Sequence, residues 1–255
     1  MTATPTARPL AGRVVLVTRP LDQSPVLVTL LTRRGAIAIA APTIEIAPAR
    51  SAHLTRALRD LAAGDFDWIS LTSRATVDML AQRLSSASEV NAKVAAIGDG
   101  TAAAFRRWAH RPPDLQPSSF TTTALARAFP RGRGRVLCLR ADIAPQGLED
   151  ALAAKGWTPD RVAAYRTKMP RRLPPQASEA LEEGRVDAVT FTSASTVRGF
   201  VGAVGVVRGG PKVVCIGPVT AREARARGLR VAAVATPHTI EGMVEAIERA
   251  LRRRA

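Results

Sequence analysis

The sequence has few of the residues that mark redox centres, metal sites and membrane spans. Its 255 residues include only 2 Cys, 3 His and 1 Tyr, and no stretch approaches the roughly 18 consecutive apolar residues of a membrane helix. His53, His110 and His238 are far apart, and none is spaced with a cysteine or a second histidine as metal ligands are. We therefore expect neither a metal centre nor a membrane span.

Familiar nucleotide and nucleophile motifs are also missing. No serine lies in a Gly-x-Ser-x-Gly turn, and there is no Gly-Lys-Ser/Thr sequence of a phosphate-binding loop. The Gly98-Asp99-Gly100 stretch lacks the third glycine of a dinucleotide-binding fingerprint. These absences predict a site that works without a cofactor.

The two cysteines and the N-terminal residues indicate the compartment. Cys138 and Cys215 each lie within a short apolar run, which predicts buried, reduced thiols. Met1–Arg13 is small, polar and proline-containing, without the apolar segment of a secretory leader. Both features favour a cytoplasmic location.

The formal net charge of +16 comes almost entirely from arginine. A basic surface attracts nucleic acid, anionic membranes or acidic small molecules. The basic residues are spread along the chain, and no basic stripe alternates with aromatic residues as in a single-strand binder. An acidic small-molecule ligand is therefore favoured over nucleic acid or membrane, and an arginine-rich surface without a ligand is the simpler alternative.

A repeat of about 120 residues organises the chain. Four blocks recur in the same order: Gly12–Leu16 as Gly134–Cys138, Pro48 as Pro170, Leu71–Val77 as Phe191–Val197, and Lys93–Gly98 as Lys212–Gly217. Each copy alternates short apolar strands with amphipathic helices, for example a helix that begins at Ser24-Pro25 and ends at Gly35. The pattern predicts an internal duplication of an α/β unit with parallel, helix-covered sheets.

The repeat leaves two domain arrangements open. Thr43–Arg50 and Ala163–Pro175 are strand-like and proline-containing, and each follows the first strand-helix-strand unit of its copy. If both are connections between domains, the start and the end of the chain share one domain. The alternative is two consecutive domains divided near Pro130.

Helix starts rich in hydroxyl groups are the main candidate binding features. Strand ends are followed at once by such starts at four places: Thr72-Ser73, Gly98–Thr101, Thr192–Ser195 and Gly217–Thr220. Two more threonine-rich starts, Thr121–Thr123 and Thr236–Thr239, stand at matched places late in each copy. Helix N-termini at the carboxyl edge of a parallel sheet favour anions. Ordinary N-capping explains any single Ser or Thr, whereas the set indicates a carboxylate- or phosphate-rich ligand.

One tyrosine and two arginines add candidate functional groups. Tyr165, the only tyrosine, lies in the second proline-containing segment, where its phenol either donates a proton or simply packs in the core. Arg19 and Arg140 follow the two matched Gly-Arg-Val strands and are able to pair with ligand carboxylates. For Arg140 we expect a solvated side chain, less so for Arg19.

Taken in order, these segments resemble a known family. Val17–Pro20, Leu71–Ser73, Ile97-Gly98 with Thr101-Ala102, Ala164-Tyr165, Phe191–Ser195 and Ile216–Ala221 are similar in order and spacing to uroporphyrinogen-III synthases, over about Gly12 to Leu251. The resemblance implies two flavodoxin-like α/β domains joined by a two-stranded β linker, with a discontinuous first domain. It places residues 1–43 and 170–255 in that domain, 50–163 in the second, and 44–49 and 164–169 in the linker.

The resemblance also implies a reaction and a site. The expected enzyme is a monomeric, cofactor-free lyase that closes hydroxymethylbilane to uroporphyrinogen III, with loss of water and inversion of ring D through a spiro-type intermediate. Its substrate would be handed over by hydroxymethylbilane synthase. Tyr165 is the implied acid, and the implied substrate contacts are Arg19, Thr72, Ser73, Gly98, Thr101, Thr192, Ser193, Ser195, Gly217, Pro218 and Thr220. The alternatives are a non-catalytic, two-lobed anion- or metabolite-binding module and a nucleic-acid binder.

Overall fold

The computed structural model describes residues 8–206 and 209–252, so the expectation based on Met1–Arg13 rests partly on residues outside this range. The chain forms two compact units. The first contains the residues up to Glu45 together with those from Lys168 onward, and the second contains Ile46–Thr167. Two crossings of the chain therefore connect the units, one at Glu45 and one at Lys168.

The described residues contain ten strands and ten α-helices. In order they are β1 Val14–Val17, α1 Pro25–Arg33, β2 Ile37–Ala40, β3 Glu45–Pro48, α2 Ala52–Ala63, β4 Trp68–Leu71, α3 Arg74–Arg83, β5 Lys93–Ala96, α4 Asp99–Ala109, α5 Thr122–Ala128, β6 Arg135–Ala141, α6 Gly147–Ala153, β7 Thr158–Lys168, α7 Pro175–Glu182, β8 Ala188–Phe191, α8 Ala194–Val204, β9 Lys212–Cys215, α9 Pro218–Ala226, β10 Val231–Val234 and α10 Ile240–Leu251. Strands and helices alternate except that β3 follows β2 and α5 follows α4.

The first unit contains a five-stranded parallel sheet in the order β10-β9-β8-β1-β2. Counted along this unit's own chain, the order is 2-1-3-4-5, which is that of flavodoxin-like folds. The central strands β1 and β8 are buried at every position. Continuous apolar strands of this kind are typical of parallel sheets that helices cover on both faces.

The second unit has a similar sheet, in which the strands from the two copies of the repeat have exchanged places. Its sheet has the order β3-β7-β6-β4-β5, and an isolated parallel bridge from Ala95 to Leu115 continues it beyond β5. The series β7-β6-β4-β5 corresponds to β2-β1-β8-β9 of the first unit, so each sheet combines strands from both copies of the repeat. The predicted α/β fold with an internal duplication is confirmed, and the strands of its two sheets are mainly parallel.

Glycine and proline fix the ends of α1 as the sequence predicts, but the capping bond is different. Pro25 is the first residue of α1, and Gly35, with a φ of 90°, lies just beyond its end. Ser24 occupies the N-cap position, yet its hydroxyl donates to the carbonyl oxygen of Pro20 at 2.9 Å instead of accepting a helix N–H. The reason is its own helical backbone (φ −76°, ψ −31°), because a capping serine normally has an extended backbone.

Both cysteines are buried free thiols, as predicted. Burial raises the pKa of Cys138 and of Cys215 to about 12. Because the thiolate is the reactive form, these side chains act as small apolar core residues. They contribute packing rather than chemistry.

Candidate functional site

The carboxyl ends of the strands gather the predicted helix starts within each unit. In the second unit, α3, α4 and α5 begin after β4, β5 and the Leu115 bridge. In the first, α8, α9 and α10 begin after β8, β9 and β10. Open α/β sheets bind ligands outside this edge, at the point where strand order reverses. That point lies between β6 and β4 in the second unit and between β1 and β8 in the first.

Four of the predicted hydroxyls are N-caps. The side chains of Ser73, Thr121, Ser193 and Thr239 each accept a hydrogen bond from a backbone N–H of their own helix, at 3.2, 3.0, 3.2 and 3.1 Å. Each cap satisfies one of the free N–H groups at its helix start. Ordinary N-capping thus explains these four hydroxyls. A ligand would bind the hydrogen-bonding positions that the hydroxyls have left and the other free N–H groups of each first turn.

The two glycine-led helix starts are different. Gly98 and Gly217 are the N-cap residues of α4 and α9, and neither helix has a side-chain cap. Thr101 and Thr220 are the third residues of these helices and are almost fully buried, at 6% and 4% exposed. The N-termini of α4 and α9 therefore present backbone N–H groups that no capping side chain occupies.

The N-terminus of α9 suits an anion better than that of α4. Pro218, the first residue of α9, has no N–H, so the amide donors of this turn are those of the following residues, and the turn contains no acidic residue. The first turn of α4 contains Asp99, whose carboxylate accepts a hydrogen bond from Gln116 Nε2 at 2.7 Å. A negative side chain at this position already interacts favourably with the helix dipole.

Tyr165 of β7 lies beside the start of α3. Its hydroxyl donates to Ser73 Oγ at 3.0 Å. Ser73 Oγ also accepts from the N–H of Thr76 at 3.2 Å and lies 2.9 Å from Thr76 Oγ1. With both acceptor positions of Ser73 used, its own proton goes to Thr76 Oγ1. The result is a chain of three hydroxyls in which Tyr165 donates to Ser73 and Ser73 donates to Thr76. The phenol of Tyr165 is the first donor of this chain.

The phenol is held in its neutral form. Burial raises the pKa of Tyr165 above its usual value near 10, and the carboxylate of Asp142 adds to this effect. The hydrogen bond to Ser73 and the positive charge of Arg140 act in the opposite direction but are the smaller effects. Around neutral pH Tyr165 is thus a proton donor rather than a base.

Arg140 is not the solvated side chain that the sequence indicates. It is 3% exposed, and its Nη1 lies 2.8 Å from Glu149 Oε1 of α6. The expectation was wrong because the long side chain reaches inward to a carboxylate that docking of α6 brings to the end of β6. Arg19, the other candidate arginine, follows β1 and is half-buried.

The first unit has the matching elements but no phenol. Ser193 caps α8, and its Oγ lies 2.9 Å from Ser195 Oγ, while Thr192 precedes it and is half-buried. The position that corresponds to Tyr165 in the repeat is Thr43. Its hydroxyl is buried and donates to the carbonyl oxygen of Thr196 at 2.8 Å. The structure thus places polar helix starts in both units and a phenol in one.

Two aromatic side chains at these edges were not predicted as site residues, although the helix start Thr236–Thr239 includes one of them. A Cβ added at Gly98 would lie 2.7 Å from Phe120 Cγ, so the phenyl ring occupies the space above that glycine while remaining 45% exposed. In the first unit the ring of His238 lies in the same way above Gly217, with closest distances of 3.7–3.9 Å to such a Cβ. The sequence indicates these two residues only by position, because each directly precedes the N-cap threonine of a matched helix, Thr121 or Thr239.

Among the described residues, no cluster of His, Cys, Asp and Glu is arranged to hold a metal ion. No helix within residues 8–206 and 209–252 is both long and apolar enough to cross a bilayer.

Comparison with known proteins decides the family. The family model described as uroporphyrinogen-III synthase HemD matches residues 25–245. The chain belongs to the uroporphyrinogen-III synthase family. The resemblance inferred from the ordered motifs is thereby confirmed, and with it an enzymatic role in porphyrin biosynthesis.

Named relatives support the same family. The uroporphyrinogen-III synthase of Synechococcus elongatus is 31% identical, and the match covers 94% of this chain and 96% of that protein. The porphyrin biosynthesis protein HemD of Ruminiclostridium josui is 30% identical over 93% of this chain and 48% of that longer protein. Both matches span nearly the whole of this chain, so the family resemblance includes both units.

Solved uroporphyrinogen-III synthases share the fold. A mutant enzyme from the extremely thermophilic bacterium Thermus thermophilus superposes with a TM-score of 0.70 at 24% sequence identity, covering 94% of this chain and 98% of that one. The enzyme from Helicobacter pylori gives a TM-score of 0.63 at 18% identity, covering 94% of this chain and 100% of that one. At these identities the likeness shows the fold alone.

Proposed function

We propose that this chain converts hydroxymethylbilane to uroporphyrinogen III as a cyclising lyase. The observation that carries the proposal is the neutral phenol of Tyr165, which donates to Ser73 beside the strand-order reversal of the second unit, in a chain of this family. The substrate must lose a hydroxyl group, and a hydroxide is a poor leaving group unless it is protonated as it departs. A buried phenol supplies such a proton.

The reaction requires positioning more than strong chemistry. A free bilane closes spontaneously to the uninverted isomer, so the protein must hold the chain in the geometry that inverts ring D. The carboxylates of the substrate are the natural handles for this purpose. We assign their binding to Arg19, Thr72, Ser73, Gly98, Thr101, Thr192, Ser193, Ser195, Gly217, Pro218 and Thr220, with Pro218 contributing shape rather than an N–H.

The N-terminus of α9 is our first candidate for a carboxylate site. Its free N–H groups and helix dipole attract an anion, and no acidic side chain competes in its first turn. The buried Thr220 hydroxyl lies within the same turn. At α4, Gly98 and Thr101 offer a similar arrangement, but there the substrate would share the turn with Asp99.

The remaining parts of the proposal concern organisation. We propose a cytoplasmic monomer without a cofactor that receives its substrate from hydroxymethylbilane synthase. We also propose that residues 44–49 and 164–169 act as the linker between domains 1–43 with 170–255 and 50–163. The location of β3 beside β7 at the outer edge of the second sheet, where the chain enters and leaves this unit, supports this division.

The test is the isomer of the product. Purified protein is supplied with hydroxymethylbilane, the products are oxidised, and the type I and type III uroporphyrins are separated. An excess of type III over the control without protein supports the synthase. Only type I from correctly folded protein would contradict it and favour the non-catalytic, anion-binding alternative with the same fold.

The pKa of Tyr165 predicts the alkaline limb of the reaction. An acid catalyst works only while protonated, and activity therefore falls as the pH rises through its pKa. Because burial raises this pKa, we expect the tyrosine-dependent fall in kcat to lie above pH about 10. The measurement is the pH profile of kcat for type III formation. A fall at neutral pH that disappears in Tyr165→Phe would contradict the raised pKa, and an alkaline fall that persists in Tyr165→Phe would contradict the role of Tyr165 as the acid.

Phe120 is expected to contact a pyrrole ring of the substrate. Its ring is anchored above Gly98 and remains 45% exposed at the carboxyl edge, where a flat ring can stack on it. Loss of about 1.4 kcal/mol of such contact in Phe120→Ala corresponds to a KM about tenfold higher, with a smaller effect on kcat.

A matched control is Ile37→Ala. Ile37 is also exposed, but it is the first residue of β2 and so lies at the amino end of the strand, away from the carboxyl edge of its sheet. We expect this control to keep the KM of the unaltered protein, and Phe120→Trp to retain most of the affinity. A KM in Phe120→Ala equal to that of Ile37→Ala would remove Phe120 from the substrate contacts.

A further inference from the structure

A buried ion pair without an evident structural need lies at the end of β6, next to the point where β6 pairs with Tyr165 of β7. Arg140 and Glu149 side chains are only 3% and 4% exposed, with Nη1 and Oε1 2.8 Å apart. Arg140 Nε and Glu149 Oε2 are buried without a hydrogen-bond partner. Removing two charges from water is rarely repaid by their attraction, and apolar residues of similar size are often as stable. The fold alone therefore does not explain this pair.

The other copy of the repeat supports this view. Thr18 corresponds to Arg140, and its buried hydroxyl donates to the carbonyl oxygen of Thr190 at 2.6 Å. At the matched position, the first unit thus has a hydrogen bond from a neutral hydroxyl group to a backbone carbonyl oxygen. At this matched position, the unit that carries Tyr165 has a charged side chain where the first unit has a neutral one.

The ion pair fixes the segment to which the Tyr165 peptide is bound. Arg140 Nη2 donates to the carbonyl oxygen of Pro145 at 3.3 Å, which ties the end of β6 to the connection before α6. The pairing of β6 with β7 shifts register between Arg140 and Ala141, and Ala141 then pairs with Tyr165. In the same connection, the N–H of Asp142 donates to the carbonyl oxygen of Tyr165 at 3.1 Å.

Charge adds a second connection between the pair and the phenol. The groups that act on Tyr165 are Ser73 at the start of α3, and Arg140 and Asp142 at the end of β6. The cation of Arg140 favours the phenolate and opposes the effect of burial. A phenol that transfers its proton develops negative charge, and a fixed cation in a site of low polarity stabilises that charge.

We propose that the Arg140–Glu149 ion pair is a positioning device for Tyr165: it fixes the peptide of the proposed acid and stabilises the charge that develops on its oxygen. This inference rests on the proposed function only for its effect on turnover. Its effect on the phenol exists in the protein without substrate.

The experiment replaces the pair by apolar residues in the double variant Arg140→Met/Glu149→Leu. Tyr165 is the only tyrosine, so ultraviolet difference absorbance follows the titration of this one phenol. We expect a denaturation midpoint at or above that of the unaltered protein, a higher Tyr165 pKa and a kcat for type III formation about tenfold lower, the factor of one pKa unit. KM should change little, since the pair does not meet the substrate.

The matched control is Arg135→Met. Arg135 begins the same strand, and it pairs with Asp60 and Asp160 at 3.6 Å, far along the strand from Tyr165. We expect an unchanged Tyr165 titration in this variant. A folded double variant with both the titration and the kcat of the unaltered protein would overturn the proposal and leave the pair a purely structural role.

A second variant covers the case in which the double variant does not fold. Arg140→Gln removes only the cation that acts on the phenol, so the Tyr165 pKa should rise, as in the double variant. An unchanged titration in folded Arg140→Gln also overturns the proposal. These titrations need no substrate and remain interpretable if the unaltered protein makes only type I product.

Discussion

Tyr165→Phe should lower kcat for uroporphyrinogen III formation by about 100-fold, because a positioned general acid contributes at least that factor. The phenyl ring of the variant fills the same space, so the loss is confined to the hydroxyl that donates to Ser73. Ser73 keeps its hydrogen bond from the N–H of Thr76. The free energy of unfolding should therefore change by no more than about 1 kcal/mol. Both values come from a steady-state isomer assay and a denaturant titration of the same preparation.

Ser73→Ala is the matched control for this result. It removes the partner of the phenol and the N-cap of α3 but leaves the proton donor in place. We expect it to lower the free energy of unfolding by about 1 kcal/mol and turnover by less than Tyr165→Phe does. A Tyr165→Phe variant as active as the unaltered protein would show that the phenol is not the acid, whatever the behaviour of Ser73→Ala.

The comparison of the two copies explains why the chemistry is assigned to one of them. At matched positions the first unit has Thr18 and Thr43, whose hydroxyls are buried and bonded to backbone carbonyl oxygens. The second unit has Arg140 and Tyr165 instead, an ion-paired cation and a phenol held by a capping serine. The two threonines of the first unit connect neighbouring backbone segments, whereas the second unit has a proton donor next to a charged side chain. In the first unit, the carboxylate site that we propose is the N-terminus of α9, which has no side-chain cap.

The sequence predicted the parts of the fold that depend on local pattern. Short apolar runs, helix periodicity and the glycine at position 35 are local signals, and the repeat showed that they occur twice. The helix starts at Ser73 and Ser193 were found because capping residues stand next to the strands they follow. The choice between consecutive and exchanged domains was not local, and it came from resemblance rather than from the repeat itself.

Interactions between distant segments could not be read in this way. The burial of Arg140 depends on Glu149, which reaches it only when α6 packs against the sheet. Phe120 lies above Gly98 because the connection before α5 returns to the start of α4. Composition gives no sign of either contact, since an arginine at a strand end and a phenylalanine in a connection are usually exposed or in the core. The sequence therefore identified the helix starts of the candidate site and Tyr165, but not the contacts of Arg140 and Phe120.

Gly199→Ala should destabilise the first unit by about 3 kcal/mol, at the upper end of the usual range for overpacking. Gly199 lies within α8, and a Cβ there would come within 2.0 Å of the carbonyl oxygen of Thr43. Thr43 is buried and its hydroxyl donates to Thr196 of the same helix at 2.8 Å, so this backbone cannot move away without breaking that bond. The measurement is the free energy of unfolding by denaturant titration.

Gly202→Ala in the same helix supplies the control, because the two glycines differ only in what surrounds them. Nothing lies within 4 Å of a Cβ at Gly202, which is exposed. Alanine is the better helix former by about 1 kcal/mol, so Gly202→Ala should stabilise the protein by up to that amount. Opposite signs for two identical substitutions would identify the contact with Thr43 as the cause. Equal effects would instead mean that α8 shifts to admit a methyl group, and the Ser193 cap at its start would then move with it, raising KM.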